Sequence, residues 1–412
     1  MAKRQNLLWQ HRVLCVVLAL LCISPFWSCR KEPKDRGPTC EVWVKETSQA
    51  EWKFIGPVKD WDLLVREINQ DKIPGLRLVR ASDPDLKHLA GLSGLELLDL
   101  GRTHITDAGL EHLKGLTGLQ ELYLYNTQIT GAGLQHIAEL TRLERLDLSA
   151  TRITDVAPKY LKPLIELEVL DLGRTKVTDA ALEHLKGLTG LQTLFLNNTK
   201  VTDAGLKHLA GLTALRDLYL YGTQITDGGL QYLAAMTGLQ GLHLQETRIT
   251  DAGLEHLVGL TGLQSLYLYG TQITDAGVED LAGLTGLRVL GLARTQITDA
   301  GLEHLAGLTE LRVLNLERTK ITDAGLKHLE GLTGLQKLDL RDTKITDAGM
   351  NHIGGLTELR SLELNNTQIT DAGLEYLAGL TKLEWLALNN TNITKAGIQQ
   401  LKQSLPSLKI YR

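Results

Sequence analysis

The stretch LELLDLGRTHITDAGLEHLKGL at residues 95–116 contains two hydrophobic periods in one short segment. In its first half, Leu98 and Leu100 alternate with polar or variable residues, a pattern typical of a short strand with one buried face. In its second half, leucines recur at every third residue from Leu110, which favours a short α or 3₁₀ helix. Thr106 is suited to N-cap that helix, and the aspartate that follows it favours the positive helix end. The stretch therefore predicts one strand followed by one helix.

This unit recurs along most of the chain. The phrase Thr-x-(Ile/Val)-Thr begins at Thr103 and returns every 24 residues until Thr391, which makes 13 copies in register. One copy buries too few side chains to offset the conformational entropy of ordering its backbone. A single unit is therefore not expected to fold alone, and neighbouring units must stack on one another.

The pattern resembles the leucine-rich repeat over residues 73–412, and it is most similar to the 24-residue bacterial type, notably that of planctomycetes. The resemblance implies an α/β solenoid shaped like a horseshoe, with a parallel β-sheet on the concave face and short helices on the convex face. It also places Thr103 and its counterparts where the family commonly carries an Asn that bonds the neighbouring backbone. A Thr hydroxyl offers fewer hydrogen bonds than an Asn amide, so we expect a weaker ladder.

Three units depart from the pattern in their second half. Gly131 stands where other units carry Asp, and Ala157 and Ala181 stand where other units carry the glycine of Gly109. Because alanine occupies this position twice, we expect that the glycine does not need a positive φ.

The N-terminal segment reads as a targeting signal. Residues 1–29 combine a basic start, an apolar run that is short for a transmembrane helix, and Cys29. The ending resembles a bacterial lipoprotein signal, in which Cys29 would be lipidated. A cleaved, secreted form and an uncleaved anchor remain the alternatives. We therefore expect an exported protein of the cell envelope, anchored through Cys29 or secreted, that meets the membrane only through this segment.

The rest of the N-terminal region has its own organisation. We expect a polar tether at residues 30–40, an N-terminal cap at residues 41–72 and the repeat domain at residues 73–412, with degenerate units at its ends. The cap is expected to contain a hairpin near residues 41–55 and a helix near residues 60–70, because a solenoid end would otherwise expose its core.

Composition and charge exclude several function classes. The 412 residues carry a formal net charge of −4, which argues against a nucleic-acid binder, and four cysteines are too few for a disulfide scaffold. Loss of residues 1–28, with three basic and no acidic residues, would bring the charge to −7. No phosphate-binding loop, catalytic set or metal-ligand spacing interrupts the period. We therefore expect a monomer that is not an enzyme and has no cofactor and no metal site.

The concave face holds the candidate ligand-binding site. Strand alternation points one set of side chains outward, and in several units this set is aromatic or polar. Clustered tyrosines favour binding because they combine contact area with few lost rotamers. The predicted site residues are Tyr123, Tyr125, Phe195, Asp217, Tyr219, Tyr221, His243, Tyr267 and Tyr269. The alternative is that tyrosine is frequent here because it suits strands and was spread by duplication.

A row of histidines shares one position on the convex side. Its members are His88, His112, His136, His184, His208, His256, His304, His328 and His352. A packing or surface role is favoured over metal binding, because each repeat supplies a single histidine and metal ligands must converge. Acidification is then expected to charge the row and loosen the convex side.

Three functions fit these features. The leading prediction is an exported binding scaffold that captures a protein or peptide on its concave face. A glycan receptor is an alternative, because sugars stack on aromatic rings. A structural spacer of the cell envelope without a specific ligand is the other, and the near identity of the repeats favours it.

Overall fold

The computed structural model describes residues 40–45 and 51–412, which form one open sheet of 17 strands with short helices along one side. Residues 1–39, with Cys29 and most of the predicted tether, lie outside the described part of the chain. The strands are β1 Glu41–Lys45, β2 Lys53–Pro57, β3 Gly75–Val79, β4 Leu97–Asp99, β5 Glu121–Tyr123, β6 Arg145–Asp147, β7 Val169–Asp171, β8 Thr193–Phe195, β9 Asp217–Tyr219, β10 Gly241–His243, β11 Ser265–Tyr267, β12 Val289–Gly291, β13 Val313–Asn315, β14 Lys337–Asp339, β15 Ser361–Glu363, β16 Trp385–Ala387 and β17 Lys409–Tyr411.

Each repeat strand pairs in parallel with the strand of the next repeat, from β3 through to β17. The α-helices are α1 Trp61–Gln70, α2 Asp83–Leu86, α3 Asp107–Leu110, α4 Asp179–Glu183, α5 Asp203–Leu206, α6 Asp227–Leu230, α7 Asp251–Leu254, α8 Asp275–Asp280, α9 Asp299–Glu303, α10 Asp323–Leu326, α11 Asp347–Ile353, α12 Asp371–Leu374 and α13 Lys395–Ser404. Short 3₁₀ helices lie at Lys87–Gly91, Glu111–Leu113, Gly133–His136, Ala157–Leu161, Glu255–Leu257, Lys327–Leu329 and Glu375–Leu377. No helix in the described ranges is both long and apolar enough to cross a bilayer.

The first three strands differ from the repeat strands in direction. Strand β1 lies between β2 and β3 and is antiparallel to both, so the expected hairpin is present and its first strand covers the edge of β3. Val42 and Val44 of β1 are buried against the first repeat, and Leu64 and Ile68 of α1 are buried beside them. The exposed core that a first repeat would otherwise present is thereby covered.

The core is a stack of leucine columns. Leu98 lies opposite Leu122 on the next strand, and the same register continues along the repeats. These side chains have 0% exposure, as do the first helical leucine, represented by Leu110, and the turn isoleucine, represented by Ile105. The strand side chains that alternate with the leucines point away from this core. We call their side of the sheet the concave face and the helical side the convex face.

The recurring threonine at the end of each strand does not bond the neighbouring repeat, contrary to the expectation. The Oγ1 of Thr103 donates to the carbonyl oxygen of Leu100 in its own repeat at 2.6 Å, and every counterpart makes the equivalent bond. Backbone groups join the repeats there instead, as where Arg102 N donates to Tyr125 O at 2.8 Å. The threonine therefore closes the turn after the strand, and the ladder does not depend on it.

A recurring aspartate joins each repeat to the next one. The carboxylate of Asp227 accepts hydrogen bonds from the backbone N of Thr250 at 2.8 Å and from its Oγ1 at 2.7 Å. We call this pair of bonds the aspartate clamp. The other clamp residues are Asp83, Asp107, Asp155, Asp179, Asp203, Asp251, Asp275, Asp299, Asp323, Asp347 and Asp371.

The clamp explains the recurring glycine. A Cβ on Gly253 would lie 2.5 Å from Oδ1 of Asp227, so the glycine makes room for the carboxylate of the preceding repeat. None of the clamp-facing glycines has a positive φ, in agreement with the expectation drawn from alanine at this position. Gly131 removes the carboxylate that would face Ala157, and the two substitutions are therefore matched. At Ala181 the clamp to Asp155 survives, so one methyl group can be accommodated there.

Candidate functional site on the concave face

Four aromatic side chains from consecutive strands form a continuous stack, which we call the aromatic ladder. Strand register places Phe195, Tyr219, His243 and Tyr267 side by side on β8 to β11. Their ring centroids are 4.1, 3.8 and 4.4 Å apart in that order, and neighbouring planes are tilted by 15–20°. Adjacent strands lie about 4.8 Å apart, so flat rings at the same position of neighbouring strands lie within stacking distance of one another.

Stacking buries the ladder more deeply than the expected exposed patch. His243 and Tyr267 each retain 5% exposure, whereas Phe195 and Tyr219 are half-buried. The prediction of an exposed surface is therefore wrong for His243 and Tyr267, because their ring faces cover one another. A ligand on the concave face would meet the edges of the rings.

The ladder is electrically neutral near physiological pH. Burial lowers the pKa of His243 to about 3, because the protonated ring would lose its hydration. Burial also raises the pKa of Tyr267, and the carboxylate of Asp217 raises it further. Two polar atoms beside the ladder, the hydroxyl of Tyr267 and Oε1 of Gln245, are buried without a hydrogen-bond partner in the described structure. Unsatisfied buried polar atoms are uncommon and costly.

The remaining central residues surround the ladder. Tyr221 and Tyr269 follow β9 and β11, and both are half-buried. The guanidinium of Arg294 lies 4.9 Å from the ring centroid of Tyr269. Asp217 stands at the start of β9 and leans across Gly241, whose missing side chain leaves room for the carboxylate.

Tyr123 and Tyr125 belong to a second place on the same face. Strands β6 and β7 separate them from the ladder, and these strands end at Asp147 and Asp171. The tyrosines line a cavity of about 330 Å³ between the first repeats and the hairpin, together with Trp52. The nine predicted site residues therefore divide into an aromatic group around the ladder and a pair at this cavity.

The sequence prediction omitted three side chains at this second place. Asp147 and Asp171 occupy the same strand position as Tyr123, so strand alternation was sufficient to locate them. Trp52 belongs to the N-terminal cap, and no repeat pattern places it on the concave face; only the hairpin brings it there.

The convex histidines make individual contacts. Nδ1 of His352 lies 2.5 Å from Oε1 of Glu330 in the preceding repeat. The ring of His88 stacks on Trp61 at 5.1 Å. Burial, with Lys186 and Lys207 nearby, lowers the pKa of His208. Within the described ranges, no three potential ligands are grouped closely enough for a metal ion.

Comparison with known proteins agrees with this fold. A leucine-rich repeat family model matches in overlapping windows that together span more than half of the chain, at residues 93–153, 141–201, 165–225, 285–345 and 333–393. An internalin from Listeria monocytogenes is 30% identical, with 73% of this chain and 88% of the internalin chain covered at a TM-score of 0.57. A leucine-rich repeat protein from Leptospira interrogans shares the fold at 24% identity and a TM-score of 0.61, covering 79% of this chain and 80% of the other. No curated protein matches the chain significantly.

Proposed function

Because the chain belongs to the leucine-rich repeat family, we propose that it is a non-enzymatic scaffold that binds a protein or peptide on its concave face. The observation that carries the proposal is the aromatic ladder, whose ring edges lie on the concave face beside the half-buried Tyr221 and Tyr269. Clustered aromatic side chains favour binding because they combine contact area with few lost rotamers.

The ladder favours a peptide over a glycan. Sugars bind aromatic side chains through open ring faces, but the faces inside the ladder cover one another at 3.8–4.4 Å. Ring edges, together with the half-buried hydroxyl-bearing side chains of Tyr221 and Tyr269, are suited to contacts with peptide backbone groups or polar side chains.

The outer tyrosines provide a test that leaves the ladder intact. We select peptides from a random display library against the wild-type chain. We expect Tyr221→Ser/Tyr269→Ser to weaken their binding by about thirtyfold, since each lost tyrosine contact costs about 1 kcal/mol at an interface. Fluorescence anisotropy on synthesised peptides measures the loss.

A matched variant distinguishes the loss of the binding site from a general loss of folded structure. Tyr376→Ser removes an exposed convex tyrosine and should bind the selected peptides as wild type does. Equal binding by the folded Tyr221→Ser/Tyr269→Ser variant would place the peptides elsewhere and contradict the proposal. Binding of glycans by the wild-type chain, with no peptide selected from the library, would favour the glycan receptor.

We also propose that residues 1–29 export the protein and that Cys29 anchors it through a lipid. The support is the basic start, the short apolar run and the cysteine that ends it. Cys40, by contrast, is buried, and burial raises the pKa of its thiol to about 12, so it is poorly suited to modification.

Labelling distinguishes the three fates of this segment. We expect the chain expressed in a bacterium to incorporate labelled palmitate and to partition with membranes. Cys29→Ser should abolish both, whereas Cys40→Ser should retain both. A wild-type chain that is released without label would show cleavage and secretion, and an unlabelled chain of full length in the membrane would show an uncleaved anchor.

A further inference from the structure

The cavity beside the N-terminal hairpin has walls of two kinds. Aromatic side chains come from the hairpin and the second full repeat, Trp52 from the former and Tyr123 and Tyr125 from the latter. Tyr125 leans across Gly101, where a side chain would collide with its ring. The remaining walls are charged, and these charges differ in whether they are already paired.

Most charges around the cavity have partners. Nε of Arg77 lies 2.5 Å from Oδ2 of Asp99, and its guanidinium lies 4.4 Å from the ring centroid of Trp52. Glu121 accepts a hydrogen bond from the hydroxyl of Tyr123 at 2.5 Å and lies 3.9 Å from Nε of Arg145. These contacts form the fixed part of the site.

The carboxylate of Asp147 is different. It accepts hydrogen bonds from the backbone N and the Oγ of Ser149 at 2.9 and 2.7 Å, yet it forms no ion pair with any described residue. Asp171 lies opposite it on the next strand and accepts only from the backbone N of Gly173, at 2.7 Å. Burial raises the pKa of both carboxyl groups, and that of Asp171 rises to about 7 because Asp147 repels it as well.

Asp147 lines the cavity itself, and Asp171 lies beside it in register on the next strand. The amide of Asn197 fills the space above Gly173, so the open part of the site lies on the cavity side of the pair. Two half-buried carboxylates without an ion-pair partner among the described residues, beside tyrosine and tryptophan rings, complement a cation with an apolar stem.

We propose that this cavity and the adjoining carboxylates of Asp147 and Asp171 bind the lysine or arginine side chain of a partner peptide. The inference rests on the proposed function and names the chemistry of its partner: a basic residue enters the cavity, and the segment beyond it crosses the ladder. A metal ion is a poorer occupant, because the described residues offer no third ligand grouped with the pair.

The full chain and a hexalysine peptide with blocked ends provide the test. We expect fluorescence anisotropy to show binding that weakens with added salt. Asp147→Asn/Asp171→Asn should reduce the affinity for hexalysine at least tenfold. The asparagines preserve shape and remove the mutual repulsion, so the variant should fold. Hexalysine acetylated on every side chain should not bind.

A control pair isolates the site from overall charge. Glu255→Gln/Glu279→Gln removes two exposed convex charges and should leave the affinity unchanged. Trp52→Ala should weaken binding without changing the net charge. If both double variants lost affinity for hexalysine equally, the binding would be non-specific charge attraction. If Asp147→Asn/Asp171→Asn bound hexalysine as the wild type does, the inference would be overturned.

The two proposals can fail separately. If display-selected peptides depend on Tyr221 and Tyr269 but hexalysine does not bind, the cation site is wrong and the scaffold function stands. If hexalysine binds through Asp147 and Asp171 while the tyrosine variant has no effect, the ladder is not the site that defines the function.

Discussion

Asp227→Ala is expected to lower the free energy of unfolding by about 2–3 kcal/mol, since hydrogen bonds to a charged group are worth about 1.5–3 kcal/mol and their loss leaves a donor unpaired. The carboxylate of Asp227 accepts from both the backbone N and the hydroxyl of Thr250, in the next repeat. Alanine removes both bonds at a junction in the middle of the solenoid, where each repeat depends on its neighbours for stability. Urea denaturation followed by circular dichroism measures the change.

The control for this substitution is Asp280→Ala, which removes a convex carboxylate that takes no part in the clamp. It should alter the free energy of unfolding by less than about 0.5 kcal/mol, as surface substitutions generally do. A loss of similar size in both variants would assign the effect to general charge, and a silent Asp227→Ala would show that the backbone ladder alone holds the repeats together.

Acidification from pH 7.5 to 5 should destabilise the wild type by about 2 kcal/mol more than His243→Phe, given that one unit of pKa difference is worth about 1.4 kcal/mol. Burial lowers the pKa of His243 to about 3 in the folded chain, whereas an unfolded histidine has its ordinary pKa of about 6.5. The folded state therefore holds the ring neutral. Its contribution is complete above pH 6.5 and declines as the pH falls from there towards 3.

Phenylalanine is the informative replacement because it keeps an aromatic ring between Tyr219 and Tyr267 and removes only the titration. His304→Phe on the convex side is the control; it retains His243 and should retain the acid-induced loss. Free energies of unfolding at the two pH values measure the difference between the chains. If wild type and His243→Phe lose the same amount, His243 is solvated in solution and the buried ladder is incorrect.

Much of the fold was predictable from the residues. The alternation around Leu98 and the leucine spacing from Leu110 identify one strand and one short helix, and the 24-residue period repeats that unit. Because consecutive units must stack, the period also predicts which strands are neighbours, and the observed register of Leu98 opposite Leu122 agrees with it.

The roles of the recurring polar residues were harder to predict. Asp107 at a helix start satisfies local rules for helix dipoles, yet its carboxylate binds Thr130 one repeat later. Thr103 was expected to bond across repeats and instead closes its own turn. The side chains of both residue types can bond within a repeat or across to a neighbouring repeat, and residue type alone does not determine which bond forms.

The candidate site shows the same division. Strand alternation placed Tyr219, His243 and Tyr267 correctly on the concave face and was sufficient to place Asp147 and Asp171 there too, but it did not predict how deeply His243 and Tyr267 are buried. Exposure depends on how far neighbouring rings cover one another, and this is set by strand spacing and side-chain rotamers.

The sequence by itself determined the repeating strand-and-helix unit, the neighbours of each unit and the face on which each strand residue lies. These properties depend on short-range periodicity, and one full period takes only 24 residues. Only the tertiary structure decided that Asp227 binds Thr250 and that Gly253 must lack a side chain. It also decided that His243 is buried and that Trp52 lies beside the first repeats. Those properties depend on distances between atoms in different repeats or in the hairpin, and such distances exist only once the units have stacked.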